Sequence, residues 1–208
     1  MKGVTINGVT YEGVAEFIYL GTLISNDNSV QKEVQRRILA GNRTNFAAIS
    51  LFRNRLVARA TKIRQYKILI RPVETYGAET WTLTKKEEQA LLTFERKIFT
   101  NMKMGNGKSR TNRELDELSK GENIVKWING QRINWLSHLE RMEEDRMSKT
   151  FFTQELEGTR RRGRPRKGWR EELERELQVL GERRWRELVI DREKWRGIVR
   201  QAKAHSGL

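Results

Sequence analysis

Over the first 28 residues apolar and polar positions alternate with a period of two, the repeat of a half-buried strand. Val4-Thr5-Ile6 and Val9-Thr10-Tyr11 flank Asn7-Gly8, and Asn-Gly is the favoured pair for a tight turn whose two residues both need φ > 0. The chain is therefore expected to open with a β-hairpin. Phe17 to Ile24 reads as a third strand that ends at Ser25-Asn26-Asp27-Asn28. Three short strands do not close a core alone, so they are expected to form an edge or a platform for the helices that follow.

From Ser29 the period lengthens to 3.6. Val34, Ile38, Asn45, Ile49 and Phe52 mark one stripe, weakened by Gly41. Ile63, Tyr66 and Ile70 mark a second helix over about 58–71, which Pro72 is expected to stop or kink. Thr84-Lys85-Lys86-Glu87 has the form of a capping box, and Leu91, Phe94, Ile98 and Met102 are the stripe of the helix it starts, with Gly105 and Gly107 ending it. Thr111-Asn112-Arg113-Glu114 opens a short helix with Leu115 and Leu118. Ile124, Ile128, Trp135, Leu139 and Met142 predict a long helix over about 122–141; His138 sits one residue off that stripe and reads as a packing histidine. After a break at 143–168, Trp169, Leu173, Leu177 and Leu180 define a helix closed by Gly181. Trp185, Leu188, Val189, Trp195, Val199 and Ala202 define one or two more. The fold class expected is mainly α. A small antiparallel strand platform fills residues 1–28, a helical bundle 29–104, and a C-terminal helical region 105–208.

Charge adds a partner to this picture. The 208 residues carry 42 Lys and Arg against 27 Asp and Glu, a net +15, which favours a polyanion, DNA or RNA. The excess is spread along the chain: residues 151–208 hold 16 bases and 10 acids, a net of +6, leaving +9 for the rest. On the second helix, Arg64, Lys67 and Arg71 follow the spacing of one face. The densest run is a ribbon over 159–170, in which Arg160, Arg161, Arg162, Arg164, Arg166, Lys167 and Arg170 are interrupted by Gly163, Pro165, Gly168 and Trp169, with no acid. Like charges repel, and Gly and Pro oppose a helix, so the ribbon is expected to be extended, a shape that follows a phosphate backbone or enters a groove. Its centre, Arg162-Gly163-Arg164-Pro165, resembles the AT-hook core. A nuclear-import signal and a solvated basic loop are the other readings of the same run, and import is what points to an intracellular, nuclear location.

Chemistry for catalysis is sparse. There is no cysteine, and the two histidines, His138 and His205, lie far apart, so neither a thiolate nor a local zinc site is expected. Asp27, Asp116, Asp145 and Asp191 are isolated, and no Asp-Asp or Asp-x-Asp exists to hold paired metals ~3.5–4 Å apart. No phosphate-binding glycine loop, nucleophile elbow or apolar run of membrane-spanning length is present. No cofactor, metal, membrane association or enzymatic activity is expected. The six tryptophans fall mostly on helical stripes, which favours packing; Trp81 and Trp169 adjoin irregular or basic segments and are the candidates for base stacking.

An ordered set of segments resembles the C-terminal part of non-LTR (LINE-like) retrotransposon reverse transcriptases. It comprises Phe17-Ile18-Tyr19-Leu20-Gly21; Lys62-Ile63-Arg64-Gln65-Tyr66 with Ile70-Arg71-Pro72-Val73 and Tyr76-Gly77; Glu79-Thr80-Trp81-Thr82-Leu83-Thr84; Arg132-Ile133-Asn134-Trp135-Leu136-Ser137-His138; and Arg162-Gly163-Arg164-Pro165-Arg166 with Trp169. The resemblance implies that residues 1–28 are similar to the last palm strands, with Phe17, Tyr19, Leu20 and Gly21 matching a primer grip. It makes residues 29–104 thumb-like and the remainder similar to a nucleic-acid-binding C-terminal region. The family's catalytic aspartates would precede Met1, which implies a truncated or domesticated piece that retains binding alone. The alternatives are a module docking onto a full-length reverse transcriptase or another chain, and a fragment of an active polymerase.

Overall fold

A computed structural model describes residues 4–102, 121–153 and 168–204. They are mainly helical, with two antiparallel β-hairpins at the N-terminal end. The chain divides into two compact units, Met1–Gly77 with Leu83–Phe94 and Asn101–Gly107, and Ala78–Thr82 with Glu95–Thr100 and Lys108–Leu208.

In the first unit, β1 (Val4–Ile6) pairs with β2 (Val9–Tyr11), Val4 standing opposite Tyr11. Asn7 and Gly8 have φ of 50° and 79°, the turn expected of them. The expected third strand is two. β3 (Glu16–Tyr19) and β4 (Thr22–Ser25) form a second hairpin with Tyr19 opposite Thr22, joined by Leu20 and Gly21 at φ 45° and 80°. Alternation runs on through a two-residue loop, so the pattern alone reads as one strand; Gly21 is the sign of the turn. Most apolar side chains of the hairpins are exposed, among them Ile6, Val9, Tyr11, Phe17, Ile18 and Tyr19.

The helices of this unit are α1 (Gln31–Ala47), α2 (Ile49–Arg53) and α3 (Arg59–Gln65). A π turn (Tyr66–Ile70) follows, then α4 (Arg71–Glu74). Val34, Phe52, Tyr66, Ile70, Leu91 and Phe94 are buried. Gly41 does not weaken α1: a Cβ there would stand 3.0 Å from the Phe94 ring, so its absence lets the two meet. Pro72 does not stop the helix at the expected place. The wide π turn ends just before it, and Pro72 lies in the first turn of α4, where a missing amide leaves no bond unmade.

α5 (Lys85–Asn101) begins as the capping box predicts, the Thr84 amide donating to Glu87 Oε2 at 2.8 Å. Its stripe of Leu91, Phe94, Ile98 and Met102 is buried. The short helix expected at 111–118 and the glycines at 105 and 107 lie outside the described residues.

The second unit contains α6 (Ile124–Glu140), α7 (Met147–Thr153), α8 (Trp169–Val179), α9 (Trp185–Leu188) and α10 (Arg192–Ala204). Asn123 caps α6 by accepting from the Lys126 amide at 3.0 Å. Ile133 and Leu136 of α6 meet Leu173, Leu177, Leu180, Trp185, Val189, Trp195, Ile198 and Ala202 in one core. α6 and α10 run antiparallel: Trp195 Nε1 donates to the Ile133 carbonyl at 3.2 Å, and Lys203 Nζ lies 3.9 Å above the Trp127 ring. α8 is tied to α6 by Arg132, only 1 % exposed, whose guanidinium reaches Glu172 at 2.7 Å and Glu176 at 2.9 Å. His138 is not part of this core. One residue off the stripe is a 100° turn, enough to leave it exposed, with its ring 5.1 Å from that of half-buried Trp135.

Candidate nucleic-acid interface

Arg64 is exposed and Lys67 is half-buried. Arg71 is not available to such a face. It is 2 % exposed, with its guanidinium 5.6 Å over the Tyr66 ring. The π turn between Lys67 and Arg71 is wider than an α-turn, so the i, i+7 spacing no longer returns to the same side.

A larger cationic feature surrounds Arg64. Between Val34 and Val73 stand Arg36, Arg37, Arg43, Arg53, Arg55, Arg59, Lys62, Arg64, Lys67 and Arg71, and no acidic residue. Apart from half-buried Lys67, the fold sorts these bases into two sets. Arg36, Arg37, Lys62 and Arg71 turn toward the protein, and burial lowers the pKa of the Lys62 ammonium. Arg43, Arg53, Arg55, Arg59 and Arg64 are exposed and make no ion pair among the described residues. Guanidinium groups without carboxylate neighbours keep their field for an outside anion.

The primer-grip-like residues sit at the second hairpin. Phe17 and Tyr19 project from β3 into solvent, while the Leu20-Gly21 turn is held against α1. The Gly21 carbonyl accepts from Arg36 and Arg37, and the Leu20 carbonyl accepts from the Tyr76 hydroxyl at 2.9 Å. Arg37 also lies 4.5 Å over the Tyr76 ring. Beneath them Glu33, 2 % exposed, accepts from the Leu23 amide at 2.9 Å, Arg36 Nε at 2.9 Å and Arg37 Nε at 2.6 Å.

Burial alone would raise the Glu33 pKa, but these hydrogen bonds together outweigh it and hold the carboxyl below its ordinary value. A depressed folded-state pKa contributes stability that is full above the unfolded value and lost as pH falls through the folded one. The urea midpoint of the first unit is therefore expected to drop on acidification below about pH 4.3, and less so in Glu33→Gln. Equal drops would deny the clamp its role.

In the second unit, the ribbon residues Arg160, Arg161, Arg162, Gly163, Arg164, Pro165, Arg166 and Lys167 lie outside the described residues. Trp169, at its end, is an anchor. Its Nε1 donates to the Glu79 carbonyl at 2.9 Å and its ring meets Phe152 edge-on at 6.0 Å. Arg170 lies 5.0 Å over Phe152 and 3.4 Å from Glu174. Trp81 is buried and offers no stacking face, while Trp169 is half-buried.

A second basic surface follows α10, where Arg192, Lys194, Arg196 and Arg200 are exposed. Lys194 is paired with Asp191 and Arg196 with Glu193. Beside Arg192 stands Arg141, whose Nη1 donates to the Val189 carbonyl at 2.8 Å. Burial, then repulsion from Arg192, lower the Arg141 pKa. Among the described residues, no group of three His, Cys, Asp or Glu side chains is placed to hold a metal ion, and no helix is long and apolar enough to cross a membrane.

The described residues thus make a mainly helical protein with arginine-rich surfaces. Over 94 % of its length the chain is similar to an uncharacterized transposon-derived protein of Caenorhabditis elegans, 23 % identical across 210 aligned residues that cover 74 % of that protein. No protein-family profile matches the chain, and no solved structure matches it.

Proposed function

We propose that this chain is a non-catalytic DNA- or RNA-binding protein of transposon ancestry, derived from the C-terminal part of a reverse transcriptase. The observation that carries the reading is the acid-free stretch from Val34 to Val73 with its five exposed arginines that make no ion pair among the described residues. Similarity to a transposon-derived protein supports the ancestry. Phosphates would meet Arg43, Arg53, Arg55, Arg59, Arg64 and Lys67 on the thumb-like helices and the basic residues of the 159–170 ribbon. Binding rather than chemistry is the proposed role because the four aspartates are isolated in sequence and no paired-metal site follows from them.

Fluorescence anisotropy with labelled duplex DNA and an RNA–DNA hybrid tests this. Saturable binding of either at about 100 mM salt is expected, and no binding of either overturns the reading. Within the ribbon, Arg164→Ala is expected to weaken binding to AT-rich duplex more than to GC-rich duplex, since the narrow minor groove of A-tracts draws inserted arginine. Equal losses would reduce Arg164 to a plain phosphate contact.

The exposed apolar side chains of the two hairpins favour a second reading, in which this part docks onto a full-length reverse transcriptase or another chain. A complex that persists through nuclease treatment in light scattering supports that reading.

A further inference from the structure

We propose that Leu56 is a wedge that enters a base step of duplex nucleic acid, while Arg53, Arg55 and Arg59 hold phosphates on either side of it. The inference rests on the nucleic-acid reading above and names what one exposed loop of the first unit does. Leu56 is 94 % exposed, at the middle of the segment joining α2 to α3. The segment is rooted at both ends, by buried Phe52 before it and half-buried Val57 after it. Its shape is set before any ligand arrives, because Asn54 Oδ1 accepts from the Leu56 amide at 2.9 Å. The side chain is thus held outward by an ordered turn.

A lone exposed leucine is ordinary on a protein surface; its neighbours are what distinguish this one. Arg53, Arg55 and Arg59 are all exposed and make no ion pair among the described residues. The nearest acids in sequence are Glu33, engaged by Arg36, Arg37 and the Leu23 amide, and Glu74, which is buried. An apolar tip rimmed by cations matches a duplex, which offers an apolar interior between stacked bases and an anionic rim along each strand. Aliphatic wedges enter duplexes through the minor groove and open a step, and neutralising phosphates around the insertion lowers the resistance of the backbone to bending. A single strand fits less well, since leucine offers no flat ring on which an unpaired base can stack.

The experiment uses the full chain and a duplex carrying 2-aminopurine at one TA step, with anisotropy and 2-aminopurine fluorescence read in the same titration. The fluorescence is expected to rise on binding as the base unstacks. In Leu56→Ala that rise should be lost, together with the preference for a TA-containing duplex over an uninterrupted A-tract, while the salt dependence of binding stays the same. Leu56→Phe should restore the rise. The side chain is in solvent, so neither substitution removes a packing contact, and circular dichroism checks that both variants fold. Binding without a fluorescence rise, or a rise undiminished in Leu56→Ala, overturns the wedge. Absence of any anisotropy change with the unaltered chain overturns the wedge, and overturns the nucleic-acid reading itself when the RNA–DNA hybrid is not bound either. Displacement of the duplex by an acidic polypeptide that binds Leu56→Ala more weakly than the unaltered chain would assign the loop to a protein partner and overturn the wedge as well.

Discussion

Replacing Arg53, Arg55 and Arg59 together by glutamine is expected to weaken binding to duplex DNA on the order of a hundredfold at physiological salt. Each phosphate contact releases close to one condensed cation, so three lost contacts reduce the slope of log K against log salt by about 2.7. None of the three is tied to a carboxylate among the described residues, so no described side chain competes with phosphate for them. The comparison that gives the number meaning is Lys194→Gln with Arg196→Gln. Those two cations are already paired with Asp191 and Glu193, and their loss should change affinity severalfold less. If the two sets weaken binding equally, net charge alone drives it and the first unit has no special surface.

Arg132→Ala is expected to destabilise the second unit by ~3–5 kcal/mol, because it strands buried charge. Arg132 is nearly fully enclosed, and its two terminal nitrogens hold Glu172 and Glu176, one helical turn apart on α8. Without the guanidinium those carboxylates, side by side on α8, are left without their cation at the seam with α6. Arg132→Lys should recover only part of the loss, since a single ammonium does not reproduce the planar two-pronged contact. Urea unfolding followed by tryptophan fluorescence measures this, because Trp185 and Trp195 stand in the same core. A loss below about 1 kcal/mol would place the pair among the ordinary surface ion pairs.

Much of the fold is legible in the amino-acid order. Asn7-Gly8, the Thr84–Glu87 box and the stripes ending at Met102 and Leu180 carry local signals strong enough to fix their elements. The places where it is not legible have identifiable causes. Alternation does not mark a two-residue turn, so Leu20-Gly21 hides inside what reads as one strand. The π turn at Tyr66–Ile70 changes the angular spacing of the helix, which a 3.6-residue stripe does not anticipate, and Arg71 just after it is buried. Trp169 lies next to seven basic residues, yet its ring nitrogen is committed to a backbone carbonyl ninety positions earlier, which no spacing rule reveals.

The candidate surface itself is visible as an interval without Asp or Glu. Averaging charge over the two parts of the chain, +9 and +6, conceals it. The division between arginines that clamp the hairpin turn and arginines left to solvent arises only in the fold.

The slope of log K against log salt for the unaltered chain on duplex DNA is the most direct measure of whether those solvent-facing arginines meet phosphate. Engagement of about five to eight phosphates gives a slope of roughly −4 to −7. A slope near zero, at whatever affinity, would mean that the exposed cations between Arg43 and Arg64 do not touch the backbone.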